Sequence, residues 1–172
     1  MPRKIVITGP ESTGKSTLAK ALADYFKASI VSEYAREYLD QLGRAYQEED
    51  LLKIAQGQVN LEDQIFEASS AMMVIDTDLT VIHIWSEEKF GQTHPWILNE
   101  MQKRAYDLYL VPDIDLEWIF DPQRENPYDR DRLMKLYLQL FEERKVKYHV
   151  VNGKGEERVQ HAIEIIKKEL NV

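Results

Sequence analysis

The sequence contains no cysteine, which excludes thiolate catalysis, thiolate metal sites and disulfides, and fits a reducing cytoplasm. Long hydrophobic runs are missing too. Stretches such as residues 71–75 fall far short of the roughly 20 apolar residues of a membrane span, and residues 1–4 lead directly into a strand pattern. Neither a transmembrane helix nor a signal peptide is expected. Positive charge is in deficit: 22 Lys and Arg stand against 30 Asp and Glu, a formal charge of −8. That balance argues against a general basic surface for nucleic-acid phosphates or anionic lipid, so neither is an expected partner, and any phosphate must be met by a local site. Only seven glycines and six prolines occur, with no low-complexity tract, linker or internal repeat. What remains, 172 residues that are 44% hydrophobic and 30% charged, suits a single soluble domain over residues 1–172.

Short apolar strands alternate with helical stripes. Residues 4–8 form a β-branched run stopped by Gly9 and Pro10, after which Leu18, Ala21, Leu22, Tyr25 and Phe26 recur at helical spacing. Residues 29–32 read as a second strand, followed by helical patterns over residues 34–42 and through Leu51, Ala55, Val59 and Phe66. Residues 71–75 read as a strand buried on both faces and ending at Asp76, Thr77 and Asp78. Residues 108–111 and 147–151 give the fourth and fifth strands, with a helix between them and another after the last. This alternation predicts an α/β fold with a mainly parallel five-stranded sheet and helices on both faces.

Gly9, Pro10, Glu11, Ser12, Thr13, Gly14, Lys15 and Ser16 fit G-x-x-x-x-G-K-[ST], and the octet follows a strand and opens a helix, as this motif requires. Glycines let successive backbone N–H groups point at phosphate oxygens, and the helix N-terminus adds its positive dipole end. Lys15 is expected to bridge the outer phosphates of a nucleoside triphosphate, with Thr17 completing the binding segment and the Ser16 hydroxyl ligating Mg²⁺. Such an ion commonly takes a carboxylate from another strand end, where Asp76 stands; an N-cap is its alternative role. For Asp78, helix capping competes with a role in binding substrate or metal-bound water. Glu33, past the second strand, is placed to take a proton from an acceptor hydroxyl, and Tyr34 and Arg36 beside it are candidate substrate contacts. Residues 113–131 carry Arg124 and Arg130 among acidic residues, with Arg132 directly after them, and read as a lid whose arginines, Arg124 and Arg130 foremost, meet the transferring phosphoryl group and exclude water. Surface ion pairs are the alternative role for these arginines. Trp85, Trp96 and Trp118 read first as packing residues, though one could stack on a base.

Taken in order, Gly9 to Thr17, then Ser32-Glu33-Tyr34-Ala35-Arg36-Glu37-Tyr38, Ile75-Asp76-Thr77-Asp78 and Gly91-Gln92-Thr93-His94-Pro95 resemble the ribosylnicotinamide kinase domain of bifunctional NAD-biosynthesis regulators. The resemblance spans essentially the whole chain. It implies a fold similar to nucleoside and nucleotide monophosphate kinases with an arginine-bearing lid, and ATP- and Mg²⁺-dependent phosphorylation of the 5′-hydroxyl of nicotinamide riboside. No His-x-Gly-His adenylyltransferase signature occurs, so a stand-alone kinase module is expected. Two alternatives remain: a kinase for another nucleoside or nucleoside monophosphate, and a slow nucleotide-hydrolysing switch.

Overall fold

Alternation of inward-facing residues along five short strands organises the structure, a computed structural model that describes residues 1–69, 71–121, 123 and 128–172. The elements in chain order are β1 (Arg3–Ile7), α1 (Lys15–Phe26), β2 (Ser29–Val31), α2 (Tyr34–Leu42), α3 (Glu48–Ala68) and β3 (Met72–Asp76). They continue with α4 (Leu79–Phe90), α5 (Pro95–Lys103), β4 (Leu108–Pro112), α6 (Arg130–Arg144), β5 (Tyr148–Val151) and α7 (Gly155–Leu170). The strands form one all-parallel sheet in the order β2-β3-β1-β4-β5. Winding reverses around β1, so the loop after β1 opens at the switch point where parallel sheets hold their ligands.

Each sheet face buries its own apolar set. Ile5, Ile7, Val74, Leu108 and Leu110 pack with Leu18 and Leu22 of α1 and Ile163 and Ile166 of α7. Val6, Ile75, Tyr109 and Val111 meet Val81 and Ile84 of α4 and Tyr137 and Phe141 of α6. Each such fully buried side chain contributes about 1.5–3 kcal/mol. A third cluster joins Leu51, Ile54 and Ala55 of α3 to Leu79 and Ile82 of α4 and Ile97 of α5. Helix α4 is therefore packed on two sides, and its polar Thr80 and Ser86 are buried as well. Thr80 Oγ1 donates to Asp78 and Ser86 Oγ to the Ile82 carbonyl, which removes the cost of burying them.

Register places the site. Ile7 pairs with Asp76, the Thr77 N–H donates to the Ile7 carbonyl at 2.9 Å, and the Thr8 N–H donates to the Leu110 carbonyl at 3.1 Å. The last residue of β3 thus lies beside the mouth of the glycine loop.

Candidate active site

The glycine loop is shaped by three left-handed residues: Gly9 (φ +139°), Ser12 (φ +57°) and Gly14 (φ +80°). The positive φ of Gly9 and Gly14 is what calls for glycine, and a side chain would also crowd Val111 Cγ1 (3.1 Å) or Leu116 Cδ1 (3.1 Å). The Thr13 hydroxyl donates to the Pro10 carbonyl at 2.9 Å and the Lys15 ammonium to the same oxygen at 2.8 Å. Helix α1 starts at Lys15 with Gly14 at its N-cap and no acidic residue in its first turn. The positive end of α1 is thus not neutralised by a carboxylate of its own, the electrostatic arrangement that favours a phosphate. Thr17 is exposed in that first turn.

Facing this loop across one cleft are Glu33 and Arg36, with Lys15, Ser16, Trp85 and Tyr137 also lining it. Burial pushes the Glu33 carboxyl above its usual range, and the nearby Asp76 adds to this while Lys15 and Arg36 oppose it. Asp76 is 5% exposed, and burial raises its carboxyl too, against the Ser16 hydroxyl bonded to it and the charge of Lys15. One of its oxygens, Oδ1, is buried without a hydrogen-bond partner, a defect that a bound cation would remove. No cluster of three or more His, Cys, Asp or Glu able to hold a metal by itself occurs among the described residues. The donor set, one hydroxyl and one carboxylate beside a phosphate cradle, suits Mg²⁺, which retains waters and shares substrate oxygens. The helix after β3 is capped at Asp78, so Asp76 is not an N-cap.

The cleft continues into an aromatic lobe lined by Glu11, Tyr46, Trp85, Lys89, Leu133 and Tyr137. Tyr46 and Trp85 are stacked, with centroids 6.2 Å apart and planes at 27°, and Lys89 Nζ lies 3.6 Å from the Tyr46 centroid. Trp85 joins both lobes.

Residues 114–121 run over the glycine loop. The Ile119 N–H donates to Ser12 Oγ at 3.0 Å, and Trp118 Nε1 donates to Glu11 Oε1 at 3.1 Å. Arg130 opens α6, and its guanidinium donates to the carbonyls of Ser12 (3.2 Å) and Leu116 (2.9 Å), which ties this segment to the loop. Arg36 pairs with Asp121 at 3.1 Å. Arg132 is held by Glu88 and Asp129 on the surface, while Arg124 lies outside the described residues. Tyr34 is not a cleft residue: its ring lies against Gly57 of α3. Asp78 is also set apart, fully buried with Oδ2 accepting from Thr80 and from Tyr109, and burial pushes its carboxyl up to about 6.

A family model described as an AAA domain matches residues 4–158, most of the chain. The chain belongs to the AAA domain family. Among curated proteins, this AAA domain is similar to the trifunctional NAD biosynthesis/regulator protein NadR of Salmonella typhimurium, at 26% identity over 96% of the chain and 42% of the relative. The domain thus spans less than half the length of that relative. Crystal structures of NadR proteins superpose on it over 99% of the chain and about half of theirs. One, in complex with NAD and AMP-PNP, has a TM-score of 0.81 at 24% identity; another, in complex with NR, has 0.82 at 22%. Thymidylate kinase from Ehrlichia chaffeensis covers 97% of this chain and 98% of its own, at a TM-score of 0.64 and 14% identity. The sheet and helices are thus those of NadR and of the nucleotide kinases.

Two residues that shape this AAA domain's site escape sequence reasoning. Arg158 of α7 is 4% exposed and donates to the carbonyls of Thr13, Gly153 (2.7 Å) and Asp113 (3.2 Å) and to the Asp115 carboxylate. It holds the glycine loop from behind. Its sequence signal is a charged residue next to the apolar stripe of α7. Arg158→Ala takes the guanidinium from three carbonyls and leaves the Asp115 carboxylate with the Gly153 N–H but no cation, so stability should fall by on the order of 3 kcal/mol. A thermal melt checks this: a midpoint well below wild type is expected, and an unchanged one contradicts the clamp. The second residue is Gln58, a polar residue inside the apolar stripe of α3, 3% exposed.

Proposed function

We propose that this domain is an ATP- and Mg²⁺-dependent kinase that phosphorylates the 5′-hydroxyl of nicotinamide riboside to give nicotinamide mononucleotide. The observation that carries this is one cleft in which Glu33, its carboxyl raised by burial, faces the Lys15 of a phosphate-binding loop and opens toward an aromatic lobe. Similarity to a NAD-biosynthesis protein, and to NadR structures in complex with AMP-PNP and with NR, supports nucleotide and acceptor.

Each group then has a task. Backbone N–H groups of the loop and the α1 N-terminus hold the phosphates, and Lys15 leaves the Pro10 carbonyl to neutralise charge on the γ-phosphoryl group. Glu33 accepts the acceptor's hydroxyl proton as its oxygen bonds to phosphorus; the bond from phosphorus to the bridging oxygen breaks, and ADP leaves. The raised carboxyl makes Glu33 a stronger base than a solvated glutamate. Ser16 and Asp76 would hold Mg²⁺, whose charge offsets that of the phosphate oxygens. Arg36 faces the same cleft, and Trp85, which lines both lobes, is the aromatic side chain assigned to the acceptor ring. Residues 114–121 exclude water, which keeps the nucleotide from simple hydrolysis. Arg130 acts by tying that segment to the loop, with Arg124 as a further cation for the transferring group.

Acceptor dependence tests this. ADP should form rapidly when both Mg·ATP and nicotinamide riboside are present and only slowly without the riboside. One slow rate whatever the acceptor would overturn the kinase in favour of a nucleotide switch.

A further inference from the structure

Gln58 tethers two chain segments that the sheet leaves untied. The β2–β3 ladder ends at Val31↔Ile75, so the residues that follow, Glu33 on one side and Asp76 on the other, lie beyond its last pair. From the middle of α3, the buried Gln58 amide spans the gap. Its Oε1 accepts from the Tyr34 N–H at 2.8 Å, and its Nε2 donates to the Thr77 carbonyl at 3.3 Å. Tyr34 directly follows Glu33, and Thr77 directly follows Asp76. The neighbouring Gly57 completes the seat, because a Cβ there would lie 2.1 Å from the Tyr34 ring. Backbone and ring of the first residue of α2 are thus both fixed by α3.

We propose that Gln58 is a positioning residue that sets the separation between the proton-accepting carboxylate at Glu33 and the Mg²⁺-binding carboxylate at Asp76. This rests on the function proposed above. The two tethered groups have opposite hydrogen-bonding character, one N–H and one carbonyl, and a carboxamide is the side chain that offers both an acceptor and a donor at this length. A carboxylate in its place keeps the bond to Tyr34 but sets an oxygen against the Thr77 carbonyl. A thioether of similar volume breaks both bonds and keeps the packing.

The test compares Gln58→Glu and Gln58→Met with wild type in steady-state phosphorylation of nicotinamide riboside, alongside thermal melts and the KM for Mg·ATP. If Gln58 sets this separation, kcat falls about 100-fold in the folded variants, the cost of misplacing reacting groups by about 1 Å, with the KM for Mg·ATP within about threefold of wild type. Structural support alone predicts something else: a lower melting midpoint with kcat per folded molecule unchanged. That result in either folded variant overturns the proposal. Should Gln58→Glu not fold because of its charge, the neutral Gln58→Met decides by the same two readouts. A wild-type protein that phosphorylates no acceptor overturns the kinase itself, which is a distinguishable failure.

Discussion

Lys15→Ala should leave the protein folded and lower kcat/KM for Mg·ATP by on the order of 1,000-fold. Lys15 is the first residue of α1, where alanine is a good helix former, and its ammonium caps the Pro10 carbonyl at the surface of the cleft instead of packing in the core. The stability cost should be about 1 kcal/mol or less, since most of the bond to Pro10 is replaced by water. Catalysis has no such substitute, because among the described residues no other lysine lines the lobe of the cleft at the glycine loop, and Lys89 lies in the aromatic lobe. A circular-dichroism melt beside steady-state kinetics separates the two. Activity within tenfold of wild type in a folded Lys15→Ala protein would contradict the phosphate-binding role of this loop.

Glu33→Gln should lower kcat by about 100- to 10,000-fold, the usual contribution of a positioned general base, and should leave the KM for Mg·ATP close to wild type. The carboxamide keeps the shape of the side chain and removes only its basicity. A second signature is the pH profile. Burial raises the Glu33 carboxyl, Asp76 and Asp121 add to it, and Lys15 and Arg36 oppose it, so the net shift is upward. Glu33 must be deprotonated to accept a proton, so wild-type kcat should fall as pH drops through this raised value. That acid limb should vanish from the small residual activity of Glu33→Gln. A variant that keeps both the rate and the limb assigns the proton to another group.

The glycine loop and the sheet were legible because they rest on local rules. A β-branched run, the glycine spacing and the continuous apolar stretch at residues 71–75 each dictate one local geometry, and β1, the loop and β3 follow. The position of Asp76 at the end of the apolar strand was legible from that stretch alone. Helices α4 and α5 were harder to see. Apolar neighbours on two sides of α4 confine its exposed polar residues to Glu87, Glu88 and Lys89 near its C-terminal end, and its buried Thr80 and Ser86 blur the stripe further. Tyr34 stands in a cluster that looks functional, yet its ring is spent on Gly57. Gln58 and Arg158 act on backbone groups far away in sequence, at separations of 24 and 145 residues, and no spacing rule reaches that far. Trp85 illustrates the same limit: its indole packs in the core and also lines both lobes of the cleft.

Arg130 shows how a lid arginine can serve indirectly. Its donors go to the Ser12 and Leu116 carbonyls, so its charge stabilises the union of loop and covering segment. Arg36, paired with Asp121 of that segment, stands closer to the cleft and faces Glu33.

The acceptor is decided by offering the wild-type protein Mg·ATP with nicotinamide riboside, the common nucleosides and their monophosphates, and identifying each product by mass while kcat/KM is measured. Nicotinamide mononucleotide as the preferred product, with the other acceptors at least tenfold poorer, is the predicted result. Nucleoside diphosphates formed from monophosphates at higher kcat/KM would contradict it and make the protein a nucleotide kinase of the same fold.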